Sequence, residues 1–183
     1  FEKTAVVGAG AWGSALSIIL SKNFKRVCVW AREKEIVDSV AAVRENSMFL
    51  PNIKIPANVE FSQDPAEVLK GAQMVVWVVP IKYLDATSKN FSQYIERGSI
   101  MVNAGKGIEV GSWRRPSQIL AANVPQASSV GSIMGPNIAF EVAQDKYAED
   151  IVALTSHEDS IVAAKAFATP SFKVRPSDDV VGV

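Results

Sequence analysis

Short apolar, β-branched runs punctuate the chain, and each is followed by a longer stretch whose apolar residues recur at helical spacing. The runs are TAVVG (4–8), RVCVW (26–30), VEF (59–61), MVVWVV (74–79), SIMV (99–102), SVGSIM (129–134) and DIVALT (150–155). Runs with so little polar alternation predict strands covered on both faces. Between them, residues 12–22 set Leu16, Ile19 and Leu20 on one helical face. Residues 156–168 predict an alanine-rich helix with Ile161 and Phe167 as core candidates. Asp64-Pro65-Ala66-Glu67 reads as a helix start, in which Asp64 caps, Pro65 fits the first turn and Glu67 bonds back reciprocally. Strands alternating with helices predict an α/β fold, a doubly wound and mainly parallel sheet with helices on both faces. The segment NSMFLPNIKIPAN (46–58) carries two prolines, breaks the alternation and is expected as a loop.

The first strand hands over to the first helix through Gly8-Ala9-Gly10-Ala11-Trp12-Gly13. A tight turn alone would account for the glycines. A dinucleotide site would account for their spacing as well: Gly8 permits the turn, Gly10 lets a diphosphate approach the backbone, and Gly13 lets helix and strand pack closely. Free N–H groups and the positive end of the helix dipole then favour the anion. The second strand ends about twenty residues further on, where a residue that reads the ribose is expected. Trp30-Ala31-Arg32-Glu33-Lys34 stands there. Arg32 suits a 2′-phosphate or the adenine ring, whereas Glu33 suits a 2′-hydroxyl, so the spacing leaves the choice of cofactor open with a lean to NADPH. An ordinary solvated helix start is the bland alternative.

Two further strand ends carry chemistry. VNAGKGIE (102–109) sets Lys106 between glycines, and GSIMGPNIAFEVA (131–143) sets Gly135-Pro136-Asn137 ahead of an expected helix. Strand C-termini of an open α/β sheet face the ligand crevice, which would hold Lys106 near both cofactor and substrate. Taken singly, each of these residues is equally well a loop or helix-start residue.

Composition narrows the class. The 183 residues are 48% hydrophobic and 21% charged, as in a folded globular domain. Nineteen basic residues balance nineteen acidic ones, which argues against nucleic acid as a general partner. The longest apolar stretch, Met74 to Pro80, is too short to span a bilayer, so no membrane insertion is expected. The single cysteine, Cys28, fits a reducing, cytoplasmic setting. His157, the one histidine, has no second soft ligand near it in sequence, and no metal is expected. Trp77 reads as core, and Trp113-Arg114-Arg115 as a solvated turn. The chain opens on Phe1 and closes on DDVVGV, and both ends read as cuts in a longer protein.

The segments GAGAWGSAL, ENSMFLPNIKIPANV, VVWVVPIKYL, KGIE and GPNIAFEVA occur in order across nearly the whole chain. Together they resemble the N-terminal cofactor domain of NAD(P)-dependent glycerol-3-phosphate dehydrogenases. The resemblance implies a Rossmann-type domain over residues 1–183. It implies reversible hydride transfer between NAD(P)H and dihydroxyacetone phosphate, a small phosphorylated substrate, giving sn-glycerol 3-phosphate for glycerophospholipid metabolism. By position it implies cofactor contacts at Gly8, Gly10, Ala11, Trp12, Gly13, Arg32, Pro80, Tyr83, Lys106 and Ala139. It implies substrate contacts at Lys106, Gly135 and Asn137. The sequence departs from the bacterial pattern at Met134-Gly-Pro-Asn-Ile-Ala139, where Asn137-Ile138-Ala139 resembles the eukaryotic form and Pro136 the bacterial one. The family's proton-transferring lysine belongs to a helical C-terminal domain and is expected beyond Val183. A fragment without it should bind cofactor but turn over poorly, and a homodimer is expected of the longer protein. A non-catalytic dinucleotide sensor and a related hydroxy-acid dehydrogenase are the alternative readings.

Overall fold

The computed structural model describes all residues from Phe1 to Val183. The first half runs β1 (Lys3–Val7), α1 (Ala11–Leu20), β2 (Arg26–Trp30), α2 (Lys34–Val43), β3 (Glu45–Asn46), β4 (Leu50–Lys54), β5 (Val59–Ser62) and α3 (Pro65–Leu69). There follow β6 (Met74–Trp77), α4 (Ile81–Phe91), β7 (Ile100–Asn103), α5 (Pro116–Asn123) and β8 (Ser129–Met134). The chain ends with α6 (Ala139–Ala143), β9 (Ala148–Leu154), α7 (His157–Phe167) and β10 (Phe172–Ser177). Eight strands form one sheet in the order β10-β9-β8-β7-β6-β1-β2-β5. All seven predicted runs are strands of it, and the doubly wound architecture is as expected.

The continuous apolar runs have a direct physical cause. Val6, Val76 and Val102 face one core with Leu16, Ile19, Leu20 and Phe167. Their strand neighbours Ala5, Val75, Trp77 and Met101 face a second core with Leu84, Ile119 and Leu120. Each central strand therefore buries both alternating faces, so apolar residues predominate on both and the few polar ones, such as Thr4 and Ser132, are small. Trp77 is fully buried, and Cys28 lies in the second core.

The order of the strands creates the crevice. The chain leaves β1 for β2 and β5 on one side, then crosses back to place β6 on the other, paired Val6↔Val76 as Val6 pairs Val29. Helices leaving the C-terminal ends of β1 and β6 diverge at this switch point.

One strand breaks the parallel pattern. The short helix α6 packs on α1 instead of crossing the sheet, so the chain turns back where β8 ends. β9 is consequently antiparallel to β8, with Met134 opposite Ile151 and Gly131 opposite Leu154. The first residues of β9, and not its last, lie at the edge where the parallel strands end.

Several local expectations are corrected. Residues 46–58 are no plain loop: β3 and β4 form an antiparallel hairpin in which Asn46 pairs Leu50. Pro51, and Asn52 at φ 63°, mask the strand, while Leu50 and Ile55 anchor it in the core. β10 was not anticipated, because FKVRPS alternates with charge and carries a proline, as an edge strand does. Asp64 caps α3 by accepting from Ala66 N–H at 2.8 Å, but Glu67 accepts from the Ser62 hydroxyl at 2.6 Å and makes no return bond. The helix expected at Pro136 begins only at Ala139. Phe167 is core as expected, whereas Ile161 is half-buried and Ala163 and Ala166 fill its expected place.

Asn46 ties the hairpin to the glycine turn. Its fully buried amide donates to the Ala9 carbonyl at 2.8 Å and to Ser14 Oγ at 2.9 Å, and accepts from Phe49 N–H at 3.1 Å. Each buried group left without its partner costs about 1–3 kcal/mol. Asn46→Ala should therefore lower unfolding free energy by roughly 2–4 kcal/mol in chemical denaturation; a loss under about 0.5 kcal/mol would refute the tie.

Candidate functional site

Two cavities meet at the C-terminal edge of the sheet and share Val78, Val79 and Pro80. One of about 380 Å³ holds Gly8, Gly10, Trp30, Arg32, Glu33, Phe49 and Tyr83. The other, also about 380 Å³, holds Ala11, Trp12, Lys106, Gly135, Asn137, Ala139 and Asp150. The glycine turn stands between them, with Gly8 and Gly10 lining the one and Ala11 and Trp12 the other.

The turn separates the roles of its glycines. Gly8 has φ +118°, and a Cβ there would sit 2.7 Å from the Val78 carbonyl oxygen. At Gly13 a Cβ would collide with the carbonyl oxygen of Gly8 itself. Both glycines are required by the fold. Gly10 is different: its φ is −68° and a Cβ would meet nothing within 4 Å. Nothing inside the chain requires a glycine at this position, so the open face above it is what a bulky group approaching the backbone would use.

The donors there are free. Ser14 N–H bonds the Gly10 carbonyl at 3.0 Å, but the N–H groups of Gly10, Ala11, Trp12 and Gly13 meet no carbonyl or side-chain acceptor. No side chain caps α1, and its first turn carries no acid. A helix start with neither cap nor carboxylate keeps its donors and its dipole for an external anion. These residues therefore fit the diphosphate of a dinucleotide.

On the Arg32 side, the guanidinium donates to Glu33 Oε1 through Nε at 2.9 Å and Nη2 at 2.6 Å. The Glu33 carboxylate holds the Arg32 pKa above its ordinary value. Both residues that competed for the ribose thus stand at the same wall, tied to each other. Tyr83 is 46% exposed and Phe49 42%, leaving two aromatic surfaces facing this cavity. Phe49 was missed because it lies in the segment taken for a loop.

In the other cavity, the turn after β7 is fixed by Asn103, whose amide donates to the Gly105 carbonyl at 2.8 Å and accepts from Gly105 N–H at 3.2 Å. This turn delivers Lys106 to the groove. Nearby Arg114 is tied to Asp85 at 2.9 Å and Glu109 at 2.6 Å, whereas Lys106 makes no ion pair. Gly135 admits a close neighbour as expected, but that neighbour is protein: a Cβ there would strike the Asp150 carboxylate and the Glu149 carbonyl. Asn137 donates through Nδ2 to Asp150 Oδ1.

Asp150 is the residue that the sequence reading missed. It is 2% exposed, and its Oδ2 is buried with no hydrogen-bond partner. Burial pushes its pKa up to about 6, against the opposing effects of the Asn137 hydrogen bond and the Lys106 charge. His157 lies elsewhere, paired with Asp178 at the start of α7. No group of three or more His, Cys, Asp or Glu side chains gathers to hold a metal ion. No helix is long and apolar enough to cross a membrane.

A carboxyl that binds its proton more tightly in the fold than in the unfolded chain adds stability at low pH. That contribution disappears as pH rises from about 4 through about 6. A displacement of this size is worth on the order of 3 kcal/mol at most. The stability of Asp150→Asn relative to the native chain should therefore increase by up to about 3 kcal/mol between pH 4 and pH 7.5, measured by denaturant unfolding. Parallel pH profiles for the two proteins would contradict it.

Residues 3–160 match the family described as NAD-dependent glycerol-3-phosphate dehydrogenase N-terminus. A glycerol-3-phosphate dehydrogenase [NAD(P)+] of Geobacter sp. (strain M21) is 36% identical over 184 residues, covering 100% of this chain and 55% of that protein. The enzyme of the same name from Enterococcus faecalis is 30% identical over 100% of this chain and 54% of its own length. The crystal structure of the Coxiella burnetii glycerol-3-phosphate dehydrogenase superimposes with a TM-score of 0.91 at 27% identity, over 98% of this chain and 55% of that one. The chain thus spans about half the length of the curated relatives it matches. With the fold, the free diphosphate donors and the family match in agreement, this chain belongs to the NAD(P)-dependent glycerol-3-phosphate dehydrogenases and corresponds to their N-terminal, cofactor-binding region.

Proposed function

We propose that residues 1–183 are the cofactor-binding domain of a two-domain enzyme that interconverts dihydroxyacetone phosphate and sn-glycerol 3-phosphate. The observation that carries this reading is a pair of adjoining cavities with free amide donors between them and a Lys106 side chain without an ion pair in one of them. In this reading Gly8, Gly10, Ala11, Trp12 and Gly13 hold the diphosphate. Arg32 and Tyr83 take the adenosine half, Pro80 lines the bend, and Ala139 flanks the nicotinamide. Lys106 touches cofactor and substrate, and Gly135 and Asn137 border the substrate.

A reduced nicotinamide held beside Ala139 would supply the hydride that the substrate carbonyl takes up. Lys106 holds positive charge where the phosphate or the carbonyl oxygen arrives, which favours charge developing on that oxygen. Val78, Val79 and Ile133 give this cavity an apolar wall beside Lys106. The oxygen also needs a proton, and in this reading, as the family resemblance implies, a lysine outside residues 1–183 would donate it. A buried single Cys28 supports a reducing, cytoplasmic setting.

Fluorescence titration of the chain should show both reduced cofactors binding, with NADPH the tighter, and Arg32→Ala should weaken NADPH by about tenfold. Tighter binding of NADH would reverse the assignment of Arg32. Gly10→Ala should keep the melting transition and lose at least about tenfold in cofactor affinity, while Gly13→Ala should lose the fold itself. Unchanged affinity in Gly10→Ala would remove the diphosphate site. Residues 1–183 with NADPH and dihydroxyacetone phosphate should show little turnover, and robust turnover would place the proton donor inside this chain.

A further inference from the structure

We propose that Asp150 is a specificity-determining positioning residue: by holding the Asn137 amide nitrogen, it leaves the Asn137 amide oxygen to the groove as an acceptor for a substrate hydroxyl. The inference rests on the functional reading above and deepens it by naming which part of the substrate meets which group.

An ionised carboxylate has no proton to donate, so only the NH2 end of a side-chain amide can bond to it. Asp150 Oδ1 takes that bond from Asn137 Nδ2. Asn137 makes no other side-chain hydrogen bond, so its oxygen remains available in the half-buried position that lines the cavity. The carboxylate is held in place by the fold. It packs against the Cα of Gly135, where any larger residue would displace it, and Asp150 pairs with Val174 in the sheet.

The result is a polar pair of opposite kinds at the substrate end of the groove. Lys106 offers only donors, and the Asn137 oxygen only accepts. A phosphorylated hydroxyketone has matching groups: a phosphate and a carbonyl that accept, and one hydroxyl that donates. Asp150 thereby directs the hydroxyl to Asn137 and the accepting groups to Lys106. Once protonated, Asp150 can itself donate, and Asn137 is free to turn its nitrogen outward.

The charged groups around Asp150 bear on the pH dependence. Lys106, on the turn after β7, lowers its pKa, while burial raises it to about 6. Glu149 on the same strand and Arg175 on β10 are paired with each other at 3.3 Å, and Tyr147 donates to Glu149. The end of β8 brings Met134 opposite Ile151, and Gly135 after it lies against the Asp150 carboxylate; on α6, Glu141 is paired with Lys146 at 3.1 Å. The Asn137 amide oxygen should therefore be fixed as an acceptor above about pH 6 and released below it.

The test compares dihydroxyacetone phosphate with hydroxyacetone phosphate, which lacks only the hydroxyl, in the full-length enzyme that carries this domain. At pH 7.5 the native enzyme should favour the hydroxylated ketone. Asp150→Asn should reduce that preference in kcat/KM at least about tenfold, mainly through KM, with NADPH affinity unchanged, and Asp150→Glu should restore part of it. The native preference should itself decline below pH 6, and should be independent of pH in Asp150→Asn. If the variant binds NADPH and keeps the full preference, the proposal is overturned. Should the variant fail to fold, the Asn137 side-chain amide in the native chain decides by 15N NMR. A titration with a midpoint near pH 6 supports the coupling, and a flat profile overturns it. Inactivity of the native enzyme on both ketones would instead remove the functional reading, whereas unchanged selectivity in an active variant removes this inference alone.

Discussion

The site depends on a contact too close for any side chain: the Gly8 carbonyl oxygen occupies the place where a Cβ of Gly13 would be. This brings α1 down onto β1 and aims the start of the helix along the crevice. With the helix so placed, Gly8 must turn at positive φ beneath the Val78 carbonyl, and the amides from Gly10 to Gly13 are left without internal partners. A donor set that is free in a folded chain is normally solvated or capped. Here neither a capping side chain nor an acid competes, so the backbone itself is the recognition surface.

The sheet was legible because burial on both faces removes polar residues from a strand, and that removal shows in the sequence. All the central strands announce themselves in this way. The hairpin and β10 do not, since each has one face or edge in solvent and carries a proline. Their stability comes from a few anchors, Leu50, Ile55 and Phe172, which local periodicity cannot distinguish from isolated apolar residues. Helix boundaries followed capping chemistry where a side chain acted, as at Asp64. They were missed at Pro136, where the chain stays extended to Ile138 before α6 begins.

At the site, the glycine turn, Lys106 and Asn137 could be read from position alone, because parallel strands deliver their last residues to one edge. Asp150 could not. It opens a run that reads as one more strand, and in a parallel sheet its first residues would lie at the far edge. Only the turn-back between β8 and β9 reverses that assignment. The direction of a strand depends on where the intervening helix packs, and α6 packs against α1, a contact between segments more than a hundred residues apart. A charged residue at the beginning of an apolar run was the one available signal, and a strand start accounts for it equally well.

The amide of Asn46 gives the hairpin a mechanical consequence. Its nitrogen holds Ala9 and Ser14 while its oxygen holds Phe49, so both donors and the acceptor of one side chain are engaged. The aromatic wall and the anion-facing bend are consequently linked through one side chain. Losing that amide would free the tip of the hairpin and one anchor of the bend at a single stroke.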